Sequence, residues 1–404
     1  MQRSRLWSFA LAAAAGTIAT VLTCSPVQAA EQPLHLTVDL SGYAHSVVAQ
    51  AHQGVPHVLY ANTTAGRMSE STPRFEMHGG GPGDSFGDWR DNNKSTRYPG
   101  TLEYHGGHTV QTATEYMIYV DTTTNGSCNS IASCWGDPAG FLTDLGRSRM
   151  IHITDQYVHA YDGDRYRVYP KAIMVTLNGL PAGTVLSDLD MQEIVYEVTT
   201  TFGLPTGFHA IYDIFLPPGQ DECQTSGSCY SPDAPTTFKY CAYHNASQFP
   251  NSTLALYTVE PYQDVSGCSV RPNTGNGQLV DSTDSVLSHE TFETITDPNT
   301  VGNPPSYYPT GWWNEESNGL FGQEIGDECS FLAINPPPPA VPGPTSTVYF
   351  DPSKVDLNGH AYWIQSEYNN AAHACTTYPS GGDGWGNGGG NGWGNGGGNG
   401  WGNG

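Results

Sequence analysis

The run Ser288-His289-Glu290-Thr291-Phe292-Glu293-Thr294-Ile295-Thr296-Asp297-Pro298 holds the residues best spaced to do chemistry. On an α-helix, positions four apart are rotated by only about 40°, so His289 and Glu293 share one face and Asp297 continues that stripe. This is the form of the zinc-peptidase helix, in which the first His and the residue four later bind Zn²⁺ and the intervening Glu is the base. Here Glu293 stands where the second His normally stands. Zinc accepts a carboxylate oxygen, but an added negative ligand weakens the ion as a Lewis acid and makes its water harder to deprotonate. The bland reading is a solvated polar helix face, His289 being one of fourteen histidines.

A third ligand is sought among Asp297, Glu324, Asp327 and His244. Glu324 and Asp327 are preferred, because they sit in a Gly-containing turn next to Cys329, where a disulfide can hold a carboxylate in place. Asp297 precedes a proline at the helix end and equally suits a turn-organising role. His244 equally suits a packed strand end. One His among carboxylates also fits Ca²⁺ or Mn²⁺. With zinc the chemistry is hydrolysis, with peptide bonds as the default substrate: Glu290 takes a proton from water activated by the ion and returns it to the leaving amine. No Gly-x-Ser-x-Gly elbow, phosphate loop or odd reactive thiol competes, although a two-carboxylate glycosidase stays open.

The elements that must position these residues are readable in outline. Thr112 to Val120 alternates like a buried strand, and His209 to Leu216, Phe238 to His244 and Leu254 to Val259 are further β-rich runs. Ser187 with Asp190 makes a capping box for a helix that Gly203 and Pro205 stop. The helix bearing His289 is expected from residue 282 to 296, capped by Asp281 or Ser282 and ended by Asp297-Pro298. Tyr362 to Glu367 reads as a final strand. The expectation is an α/β or α+β fold, with a zincin-like mixed sheet and an active-site helix.

Compartment follows from the first residues. Arg3 and Arg5, the apolar run Leu6 to Leu22 and the small residues at Val27 to Ala29 form a secretory signal peptide over residues 1–30. Thr23 stands where a lipobox needs Gly or Ala, which argues against a lipid anchor on Cys24. The eight remaining cysteines, Cys128, Cys134, Cys223, Cys229, Cys241, Cys268, Cys329 and Cys375, favour four disulfides in an oxidising compartment. Cys128 with Cys134 and Cys329 with Cys375 are the expected pairs. A formal charge of −24, from 15 basic and 39 acidic residues, leaves no footprint for nucleic acid or an anionic membrane. No second apolar stretch reaches membrane-span length. Residues 31–107 read as an N-terminal extension, 108–378 as the main domain, and 379–404 as a disordered Gly/Trp/Asn repeat tail. Pro336 to Pro339 is an extended loop. The chain is expected to be a secreted monomer.

Gly106-Gly107-His108, the strand to Val120, Phe141 to Leu145, Ile211 to Leu216, Cys241-Ala242-Tyr243-His244 and Thr296-Asp297-Pro298 follow in an order that resembles the EXORDIUM-like, phosphate-induced protein 1 family, over residues 105–376. Within it, the chain looks like microbial secreted members that carry Ser-His-Glu-x-x-Glu-x-x-Thr-Asp-Pro and then Glu-Ile-Gly-Asp-x-Cys, here Ser288 to Pro298 and Glu324 to Cys329. Plant members, extracellular and linked to growth responses, lack the His and Glu pair. The resemblance implies secretion. It also implies a scaffold that serves without metal, so a non-catalytic protein binding cell-wall or matrix polysaccharide is the alternative to a metallopeptidase-like hydrolase.

Overall fold

The computed structural model describes residues 31–40, 52–53, 56–66, 101–122, 128–161, 163–249, 254–298, 302–303, 306–307, 310–315, 322–330, 350 and 352–379. The expected signal peptide, the proline run and the repeat tail beyond Pro379 lie outside the described residues. The centre is a nine-stranded mixed sheet. Its strands are β1 (Leu34–Asp39), β2 (His52–Gln53), β3 (His57–Tyr60), β4 (Ala113–Thr122), β5 (Tyr166–Val168), β6 (Ile173–Asn178), β7 (Ala210–Phe215), β8 (Tyr240–Gln248) and β9 (Leu254–Glu260). They run in the order β1-β6-β4-β7-β9-β8-β2, with β3 also paired to β8 and β5 to β4. From β1 to β9 the pairings are parallel. At β8 the direction reverses, and β9, β2 and β3 all pair with it antiparallel. The stretch expected as an extension thus supplies β1, β2 and β3 to the sheet.

Parallel strands need cover on both faces. Three helices matter here: α1 (Pro138–Gly146), α2 (Asp188–Phe202) and α3 (Gln278–Thr296). Met191, Ile194, Val195 and Val198 of α2 pack on the face of Tyr116, Ile118, Tyr212, Tyr243 and Tyr257. Leu287, Phe292 and Ile295 of α3, with Phe141, Leu142 and Leu145 of α1, pack on the opposite face of Met117, Tyr119, Ile211 and Phe215. The alternation along β4 sorts its side chains between these two cores, as strand geometry requires. The capping box of α2 is present, Ser187 and Asp190 each bonding the other's backbone N–H. Beneath α2, Asp188 accepts hydrogen bonds from Tyr243, Tyr257, Gln192 and Asn245, which satisfies a buried carboxylate.

Helix α3 begins four residues earlier than expected, with Gly277 at its N-cap and no side chain capping it. Asp281 is instead inside the first turn, where its carboxylate accepts the backbone and side-chain N–H of Asn276 at 3.1 and 2.9 Å. The carboxylate thereby ties down the chain entering the helix and complements the helix dipole. The expected last strand is two short ones, His360–Ile364 and Glu367–Asn369, each in its own antiparallel pair. Four disulfides are present: Cys128–Cys134, Cys223–Cys229, Cys241–Cys268 and Cys329–Cys375. The two expected pairs are among them. No helix among the described residues is long and apolar enough to cross a membrane.

Candidate metal centre

Helix α3 is polar in sequence, yet every residue from Asp281 to Thr296 is buried. A helix buried all round is normally apolar, because each buried polar group must find a partner. Its ring of Asp281, Asp284, Ser288, His289, Glu290 and Glu293 therefore exists for contacts inside the protein, and the alternative of a solvated face is overturned.

Side chains from this ring meet donors and acceptors from other elements. His289 Nε2 lies 3.1 Å from Glu293 Oε1 and 3.8 Å from Asp327 Oδ1. The backbone N–H of Asp327 donates to Glu293 Oε1 at 3.1 Å. Asp327 opens a one-turn helix, Asp327–Ser330, which Cys329–Cys375 fixes to the strand Glu367–Asn369 and its partner. The Tyr368 N–H, donating to the Ile325 carbonyl at 3.0 Å, holds the turn from the same side. The disulfide anchor expected for the turn is thus in place.

The other carboxylate oxygen of Glu293 faces β8. Glu293 Oε2 is 3.5 Å from His244 Nδ1, and Glu290 Oε2 is 3.2 Å from the same nitrogen. On the far side of the ring, His244 Nε2 lies 3.5 Å from Glu324 Oε2 and 3.2 Å from the Asp297 carbonyl oxygen. Glu324 also contacts His57 Nδ1 on β3. Sequence reasoning did not single out His57. It sits directly opposite His244 in the β3–β8 register, and nothing local in His57-Val58-Leu59-Tyr60 announces that pairing. Among the described residues, three sets of side chains converge closely enough to hold an ion: His289, Glu293 and Asp327; His244, Glu290 and Glu293; and His57, His244 and Glu324. Asp297 joins none of them. Its side chain accepts the Gly311 N–H at 2.6 Å, which is the turn-organising role, because the chain must reverse after the helix ends before Pro298.

The convergence leaves donor atoms without hydrogen bonds. His289 Nε2, Glu290 Oε1, Glu293 Oε2 and both carboxylate oxygens of Glu324 are buried and make none. Buried polar atoms are rarely left so unless a group outside the protein satisfies them. Burial works to raise the Glu293 carboxyl, but the imidazoles of His289 and His244 outweigh it and hold the group below the usual carboxylate range. For His289, burial disfavours the imidazolium and the Glu293 carboxylate overcomes it, so its pKa rises. Glu290 is pushed well above the ordinary range by burial first and by Glu293, Glu260 and Asp327 after it.

The surroundings of His289 are shaped closely. Gly326 passes against the ring, and a Cβ there would collide with Nδ1. The amide nitrogen of Gln365 is 2.9 Å from Nδ1, with the Gly326 carbonyl and Glu367 Oε1 as further neighbours at 3.2 and 3.3 Å. Held this way round, the amide donates to both oxygens, and turning it over would set its own oxygen against them.

A second acidic group lies under α3. Asp213 of β7, Glu115 of β4 and Glu260 of β9 are all buried. Thr258 donates to Asp213 Oδ1 at 3.1 Å. Burial pushes the Asp213 carboxyl up to about 7 and drives Glu115 and Glu260 well above their ordinary values, with Asp213 adding to both.

Compared with protein-family models, curated proteins and solved structures, the chain matches none of them. The fold and site define a disulfide-bonded mixed α/β protein with a buried cluster of histidines and carboxylates on its central polar helix.

Proposed function

We propose that the protein is a secreted, metal-dependent hydrolase of peptidase type, with His289, Glu293 and Asp327 as zinc ligands and Glu290 as the proton carrier. The observation that carries this reading is the convergence of the three donor groups on α3 and the Glu324–Asp327 turn, with His289 Nε2 left without a hydrogen bond. Donors at the corners of a tetrahedron with bonds of 2.0–2.1 Å stand about 3.3 Å apart. The separations of 3.1 and 3.8 Å around His289 Nε2 bracket that value. One imidazole and two carboxylates suit zinc, and also manganese or calcium. A cation held there supplies a Lewis acid and makes a nearby water more acidic.

The chain's own residues would do the rest. Glu290 lies one position from His289, so it faces a different side of the helix, and its Oε1 has no hydrogen bond. That oxygen takes the proton from the attacking water and passes it to the leaving amine. His244, against Glu290 Oε2, orients the carboxylate. The four disulfides and the signal-like first residues support an extracellular setting, and the resemblance to microbial EXORDIUM-like proteins supports the same branch. The test is peptide hydrolysis by the mature, zinc-loaded chain beside Glu290→Gln, which keeps the ligands. Activity lost at least ~100-fold in the variant, with zinc retained, is the expected result. Equal activity in both, or none in either across a peptide library, removes the reading.

One observation favours the alternative of a matrix-binding protein. A surface hollow of about 430 Å³ is lined by Tyr104, His108, Tyr157, His159, Phe208 and His209, and by none of the candidate metal ligands. Aromatic and imidazole rings of this kind suit the apolar faces of sugar rings.

A further inference from the structure

His57, His244 and Glu324 share no residue with the set His289, Glu293 and Asp327, and their chemistry is different. Two imidazoles and one carboxylate form the donor set of a three-ligand zinc site with an open position. We propose that His57, His244 and Glu324 hold a second cation of the zinc class, separate from the one assigned to His289, Glu293 and Asp327.

The placement comes from the sheet. His57 and His244 are directly opposed across the antiparallel β3–β8 pair, which puts their side chains on one face within reach of each other. Their ring centroids are 5.4 Å apart and tilted by 35°, so the rings do not stack face to face. Glu324 reaches both rings from the turn beside α3, with Oε1 against His57 Nδ1 and Oε2 3.5 Å from His244 Nε2. The Glu324 side chain is fully buried, and neither of its oxygens makes a hydrogen bond. A buried carboxylate aimed between two imidazoles needs a balancing positive charge at that place.

The tautomer of His244 is provided for. Glu290 Oε2 lies 3.2 Å from Nδ1, so that in the Nδ1–H tautomer it would accept that proton and the Nε2 lone pair would face Glu324. A carboxylate behind a ligating histidine is the usual outer support of a zinc site, since it fixes the ring and raises its basicity. The Asp297 carbonyl oxygen, 3.2 Å from Nε2, supplies a further oxygen at the same place. Glu290 thus stands between the two sites: it braces His244 through one oxygen and keeps the other without a hydrogen bond. The second site lies at the edge-strand side of the cluster, where His57 keeps 13% of its side chain exposed while the other ligands are fully buried.

The experiment is a zinc titration of the full mature chain after chelator treatment, read by calorimetry and by elemental analysis after desalting. The proposal expects two equivalents in the unaltered chain, one in His57→Ala and one in His57→Gln. The variants must melt within a degree or two of the unaltered chain in chelator, as expected for a partly exposed side chain. No zinc bound by the unaltered chain overturns the second site, and so does zinc retained in full by both His57 variants. His289→Ala separates this outcome from the fate of the first site. If a single bound ion is lost in His289→Ala, the first site stands alone. If a single ion is lost in the His57 variants and kept in His289→Ala, the second site stands and the first falls.

Discussion

Replacing Asp213 by Asn should make the protein more stable at neutral and alkaline pH while leaving it little changed near pH 4.5. Asp213 is wholly buried on β7, between Glu115 of β4 and Glu260 of β9, with Glu290 of α3 facing Glu260. Burial lifts its carboxyl from the ordinary 3.8 to about 7. A group whose folded pKa is raised contributes stability that is fully present below its unfolded pKa and is lost as pH rises through the folded value. The window is therefore about pH 4 to 7, and stability falls across it. A rise of about three pH units, at about 1.36 kcal/mol per unit, sets the loss at about 4 kcal/mol. At a typical unfolding entropy per residue, that is about 5 °C in melting temperature for a chain of 404 residues. The amide of Asp213→Asn would still accept the Thr258 hydrogen bond through its carbonyl oxygen, so the variant removes the charge and keeps the contact. The assay is thermal unfolding by circular dichroism from pH 4.5 to 8.5, in chelator so that no cation contributes. The reasoning fails if the unaltered chain does not lose stability between pH 4.5 and 7.5. It also fails if Asp213→Asn lowers the melting temperature equally at both ends.

Further expectations follow from the turn that carries Asp327. Gly326→Ala pushes a methyl group into the space of His289 Nδ1 and should weaken zinc at that site at least ~10-fold in a competitive chelator titration. The fold should survive, because overpacking costs about 1–3 kcal/mol. Exchanging Cys329 and Cys375 together for Ser releases a loop with a sequence separation of 46. It should cost about 4 kcal/mol by loop entropy, read as a fall of about 5 °C in melting temperature, and should weaken zinc as well because Asp327 loses its anchor.

Much of the scaffold is legible in the sequence because its signals are local. Ser187 and Asp190 announce the start of α2, and the β-rich runs around Ile211, Tyr243 and Leu256 sit close to β7, β8 and β9. Cys128–Cys134 is readable from its short loop, and Cys329–Cys375 from the order of cysteines along the chain. The start of α3 is misread because Asp281 looks like a cap and serves instead as an acceptor for Asn276 inside the first turn. The site is half visible. His289, Glu290 and Glu293 carry helical spacing, whereas the approach of Glu324, Asp327 and His244 depends on packing and a disulfide. His57 is invisible, since its meaning comes only from the register of β3 against β8. The burial of α3 also runs against its composition, for a run so rich in Ser, Thr, Asp and Glu reads as a surface helix until the groups it meets are known.

The central claim is that α3 carries a metal centre. Its most direct test is anomalous diffraction at the zinc edge from crystals of the mature chain grown with zinc. The account predicts a peak bonded to His289 Nε2 and to carboxylate oxygens of Glu293 and Asp327, at about 2.0–2.2 Å from each. A fully ordered α3 with no anomalous peak among these residues, and His289 hydrogen-bonded to Glu293 alone, would contradict it.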